Sequence, residues 1–74
     1  MERVVFDYSR LKGRIVEKCG SQKAFADRMG ISESTMTAKM SCVSYFTQGE
    51  IFRAIGILDL GVWAITDYFF TESV

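Results

Sequence analysis

The stretch from Ser21 to Met36, SQKAFADRMGISESTM, constrains the fold more than any other part of the chain. Two short helical patterns meet here at a glycine. Ser21 has the hydroxyl of an N-cap, and Ala24, Phe25, Ala26 and Met29 supply apolar positions at helical spacing. Gly30 provides the left-handed backbone that a three- to four-residue turn requires. Ser32 caps a second helix from Glu33 to about Met40, in which Met36 and Met40 lie one turn apart and face inward. Helices that cross steeply need a small side chain at the contact, and Ala26 is that residue. Phe25, Met29, Ile31 and Met36 then form the buried face of a helical hairpin.

The rest of the chain reads as more short helices around this hairpin. Residues 1–7 read as extended or loose. Ser9 caps a first helix that runs to about Cys19 with a stripe of Leu11, Ile15 and Cys19, and Gly20 ends it. After a loop from Ser41 to Phe46, Thr47 and Glu50 have the spacing of a capping box. The helix that follows carries Ile51, Ile55 and Leu58 inward and is expected to end at Gly61. Gly56 lies inside it at a cost of about 1 kcal/mol relative to alanine, which close packing would explain. Val62 to Phe70 reads as a short fifth helix with Trp63, Ile65, Tyr68, Phe69 and Phe70. The expected fold is all-α: a compact bundle of about five short helices forming one domain over residues 1–74.

Composition agrees with a small globular unit: 74 residues, 49% hydrophobic, 24% charged and no proline to interrupt a helix. No apolar run reaches the roughly 18–20 residues of a membrane span, and the N-terminal segment lacks the features of a signal peptide. A cytoplasmic location is the expectation. Cys19 and Cys42 are the only cysteines and there is no histidine, so reduced thiols are expected and no cofactor or metal. No nucleophile–base pair or glycine-rich phosphate loop marks an enzyme, and no small-molecule substrate is evident. Net charge is zero but uneven. Residues 1–39 hold eight Lys and Arg against five acids, and residues 40–74 hold Arg53 against four acids.

The pattern Gln22, Phe25-Ala26, Gly30, Ile31, Ser32, Met36 resembles the Cro and phage-repressor type of helix-turn-helix, the lambda-repressor-like DNA-binding domain family. The phrases Phe6 to Ile15, Gln22 to Ala26 and Tyr68 to Thr71 resemble small phage-encoded Cro-like proteins, so the resemblance covers nearly the whole chain. Two positions depart from the pattern. Lys39 stands where the family is usually apolar, so that Met40 is expected to fill the inward place and Lys39 to point out. Ser41-Cys42 stands where an Asn-Gly turn is common.

The resemblance implies sequence-specific binding of duplex DNA by a Cro-like transcriptional regulator, with the helix after Ser32 in the major groove. Glu33, Ser34, Thr35, Thr37 and Ala38 would then face the bases, with Ser32 also among the DNA-binding residues. Gln22, Lys23, Lys39, Thr47 and Gln48 would hold phosphates. Four aromatic rings within 63–70 are hard to bury in so small a monomer, so Trp63, Tyr68, Phe69 and Phe70 are candidates for a homodimer interface that would suit a palindromic operator. The alternative is an antirepressor-type module that binds another regulator and not DNA, which the zero net charge and the aromatic tail fit.

Overall fold

The structure is a computed structural model and describes residues 4–73. The expectation for residues 1–3 therefore lies outside the described residues. The elements are α1 (Ser9–Cys19), α2 (Gln22–Met29), α3 (Glu33–Met40), α4 (Gln48–Ile57), a single 3₁₀ turn (Val62–Ala64) and α5 (Ile65–Phe69). The fold class is all-α, as the periodicity predicts. Leu11, Ile15, Phe25, Met29, Met36, Leu58 and Phe69 are the large side chains at its centre, and α2 packs on α1, α3 and α4.

The helix-turn-helix forms as the sequence predicts. Ser21 Oγ accepts from the Ala24 amide, and Ser32 Oγ accepts from the Thr35 amide at 3.1 Å. Gly30 takes φ 75° between them. Ala26 is buried at the crossing, and its carbonyl accepts from the Ile31 amide. Thr47 and Glu50 close the expected capping box on α4.

Several boundaries differ from the expectation. Ser9 does not cap α1. The Asp7 carboxylate accepts from both the Ser9 amide (2.9 Å) and the Ser9 hydroxyl (2.6 Å), because an anion is the stronger acceptor at the positive end of a helix. These bonds hold the Asp7 carboxyl below its usual range.

Helix α4 stops at Ile57 and not at Gly61. Asp59 adopts φ 55° and the Leu60 amide reaches back to the Ile55 carbonyl, a left-handed helix ending that Asp tolerates better than most residues. Arg14 of α1 seals this end, donating to the Leu58 and Asp59 carbonyls. Gly56 is exposed, and a methyl there would meet nothing within 4 Å, so close packing does not explain it.

Of the two readings of the N-terminal segment, extended or loose, the described part is extended, and it is paired. Val5 to Asp7 runs antiparallel to Thr71 to Ser73 through an Asp7 N–Thr71 O bond of 2.8 Å and a Ser73 N–Val5 O bond of 3.0 Å. Cys42 locks this strap to the α3–α4 loop: it is buried, it takes φ 61°, and its Sγ accepts from the Phe6 amide. The left-handed conformation that an Asn-Gly pair would adopt freely is thus held here by a cysteine.

Candidate functional site

The residues expected to meet DNA are placed together on an exposed face, where several of them hydrogen-bond one another. Glu33, Ser34, Thr35 and Thr37 are exposed on α3, and Ala38 is half-buried. The Ser32 hydroxyl is shared among Ser34, Thr35 and the cap. Thr37 donates to the Glu33 carbonyl and accepts from the Gln22 side-chain amide at 3.0 Å. Gln22 therefore ties α2 to α3. Thr47 is used as a cap, and Gln48 is exposed beside it.

The two expected phosphate-binding cations differ: Lys23 stays on the surface, whereas Lys39 is held within the fold. Lys23 pairs with Asp27 at 3.6 Å on its own helix. Lys39 does not point out. Its ammonium bonds Glu50 Oε1 at 3.0 Å and the Tyr45 carbonyl at 3.0 Å, with side-chain exposures of 10% for Lys39 and 17% for Glu50. The aliphatic stem reaches under the 41–46 loop and places the charge 6.0 Å from the Phe46 ring centre. Burial works to raise the Glu50 pKa, but the Thr47 amide and the Lys39 ammonium outweigh it and hold the carboxyl below its usual range. Arg10, Arg14 and Lys18 pair with Asp67, Glu17 and Asp59. Lys12 and Arg28 are in no ion pair among the described residues, but α3 itself presents no free cation there.

What the molecule does expose is apolar. A groove of about 840 Å³ runs between α4 and the C-terminal turn, lined by Phe46, Gln48, Gly49, Ile51, Phe52, Val62, Ile65 and Phe70. A second hollow of about 290 Å³ shares Phe46, Ile51 and Phe70 with it and continues to Val4, Phe6 and Tyr45. No charged side chain lines either one. Phe52 is 70% exposed, Val62 64% and Trp63 79%, and Phe70 is about half exposed.

The aromatic tail thus divides. Phe69 is buried against Phe46 (centroids 5.4 Å apart) and is removed from the expected interface. Tyr68 is half-buried against the core, whereas Trp63 and Phe70 stay on the surface. Sequence reasoning missed Phe52. Its place on the outer face of α4 beside Gln48 and Gly49 was the available signal, because an aromatic ring facing out from a capped helix has no partner within the domain.

These features define a helix-turn-helix bundle whose open face is apolar and not basic. The chain belongs to the family described as protein of unknown function (DUF739), whose profile matches residues 4–72. It is similar to the modulator of repression (MOR) of the temperate bacteriophage TP901-1 from Lactococcus lactis, known from a solution structure. The identity is 43%, the match covers 89% of each chain, and the TM-score is 0.77. No curated protein matches.

The expectation of a Cro-like DNA-binding regulator is corrected by this similarity. The matched protein is a modulator of repression, the matching family is one of unknown function, and no Cro-type DNA-binding family is shown. Duplex DNA and its palindromic operator are set aside as the partner on the same finding, so the homodimer loses the palindrome it suited, and of the ring cluster that suggested it Phe69 lies in the core. The helix-turn-helix pattern was real, but it reports a way of packing two helices. Binding to phosphate needs free cations as well. Among the described residues, no helix is long and apolar enough to cross a membrane.

Proposed function

We propose that this chain is an antirepressor-type module that modulates phage repression by binding a regulator protein, and that it acts in the cytoplasm without catalysis. The observation that carries the reading is the 43% identity, over 89% of both chains, to a phage modulator of repression. The surface supports it. An uncharged apolar groove edged by exposed aromatic residues suits the desolvated centre of a protein interface. The one cation of α3, Lys39, is held within the fold and is not free for a polyanion.

The direct test is isothermal titration of the purified chain into the purified repressor of the phage or prophage that carries its gene, without DNA. The expected result is a complex with a negative heat-capacity change, as burial of apolar surface requires. No heat and no co-elution at high micromolar concentration would refute the reading.

A further inference from the structure

We propose that the N-terminal strap, Val4 to Phe6, is a latch. It lifts off the domain as a unit, hinged at Asp7, while α1 to α4 stay folded, and its release uncovers the Cys42 thiol and enlarges the apolar hollow beside it.

The hydrogen bonds that hold the strap run to irregular segments and not to helices. The Ser73 amide donates to the Val5 carbonyl at 3.0 Å. The Tyr45 hydroxyl donates to the Val4 carbonyl at 2.6 Å, and the Phe6 amide donates to Cys42 Sγ at 3.3 Å. No ion pair among the described residues includes Val4 to Asp7. Little apolar burial adds to these bonds. Val4 is 52% exposed and Val5 48%. Phe6 alone is half-buried, with its ring edge-on to Tyr45 and Phe70 at centroid distances of 6.1 and 5.6 Å. A segment with so few buried contacts opens at a lower free energy than the core it covers. The loop that receives it is itself held at Cys42 in a left-handed conformation, φ 61°, that side-chain-bearing residues seldom adopt.

The hinge is built into the start of α1. The Asp7 carboxylate is bonded to the Ser9 amide and hydroxyl and not to the strap. Tyr8 is buried, and its carbonyl accepts from the Lys12 amide. Helix α1 therefore keeps its cap and its first core ring when the strap leaves. Cys42 is 1% exposed, and the amide and carbonyl of Phe6 both lie on its sulfur, at 3.3 and 3.8 Å. Solvent reaches the thiol only after Phe6 has moved. Val4 and Phe6 also form part of the wall of the 290 Å³ hollow, which shares Phe46, Ile51 and Phe70 with the groove along α4. Release of the strap removes that wall and extends the apolar surface of the groove to Tyr8 and Tyr45.

The test treats the full chain with N-ethylmaleimide in water and in low urea, and peptide mass mapping separates labelling at Cys42 from labelling at Cys19. The rate at Cys42, divided by its rate in the unfolded chain, gives the fraction of time the thiol is open. Hydrogen exchange at the Ile15 and Met29 amides gives the same quantity for global unfolding. Cys42 is expected to open about 10-fold or more often than these amides, with little dependence on urea because little surface is exposed. Tyr45→Phe keeps the ring against Phe6 and removes only the hydroxyl bond to Val4. It should raise Cys42 labelling about 5-fold, the weight of one net hydrogen bond, and leave Ile15 and Met29 unchanged. Labelling of Cys42 that matches the opening of Ile15 and Met29 and rises as steeply with urea would overturn the latch. So would a Tyr45→Phe variant with unchanged Cys42 labelling, or a wild-type Cys42 that reacts as fast as in the unfolded chain.

Discussion

Removing the Lys39 ammonium discriminates sharply between a surface phosphate contact and the structure described above. A phosphate-binding lysine can be changed to alanine with little effect on folding. Here Lys39→Ala would strand Glu50 at 17% exposure and leave the Tyr45 carbonyl without its donor. Breaking one side of a buried ion pair costs about 3–5 kcal/mol. Glu50 keeps its bond from the Thr47 amide, which favours the low end, about 3 kcal/mol. In a domain of this size each kcal/mol moves the melting midpoint by roughly 4–8 °C, so a fall of about 12–24 °C is expected. Such a loss is a large part of a total stability on the order of 5–15 kcal/mol. Circular dichroism at 222 nm during heating, a standard probe of helix content, is the assay. The double variant Lys39→Met with Glu50→Gln removes both charges and keeps the capping oxygen, so it should recover most of the loss. A midpoint within about 4 °C of wild type for Lys39→Ala, or a double variant as unstable as the single one, would refute the buried pair.

Three further outcomes follow from the structure. Ala26→Leu should cost about 1–3 kcal/mol in denaturant unfolding, because the α2–α3 crossing has no room for a larger side chain. Burial raises the Tyr8 phenol from 10.0 to about 12, with smaller contributions from Cys42 and Tyr45. The fold favours the protonated phenol, so this stability is fully present below pH 10 and is lost as pH rises through about 12; Tyr8→Phe should flatten that alkaline limb in a pH series of melts. The lowered Glu50 carboxyl acts in the opposite range: its contribution is present above the ordinary carboxyl value of 4.5 and is lost as pH falls through the lower folded value, an acid limb that Glu50→Gln should reduce.

The parts of the fold that rest on local chemistry were legible in the sequence. Ser21, Gly30, Ser32 and the Thr47–Glu50 box each act within about three residues, and each forms as expected. What was not legible depends on partners distant in sequence. Lys39 turns inward because an acid eleven residues later and a loop carbonyl receive its charge. The end of α4 comes early because Asp59 takes the left-handed position and Arg14, over forty residues away, caps the carbonyls. The strap of Val5 to Asp7 is ordered by Thr71 to Ser73 and by Cys42.

The site shows the same division. The helix-turn-helix was visible in the pattern of small and apolar residues. The fate of its cations was not, because Lys18 and Arg10 find their acids only once α1 packs near the C-terminal segments. Phe52, Val62 and Trp63 carried the useful signal, as apolar side chains that one small core leaves outside.

The most direct test of the central claim sets two titrations side by side: the purified chain against its repressor without DNA, and the purified chain against operator duplex without repressor, each at two salt concentrations. The account predicts a saturable complex with the repressor that changes little with salt, and no specific binding to the duplex. A chain that ignores the repressor but binds the duplex, with an affinity that falls steeply as salt rises, would contradict it.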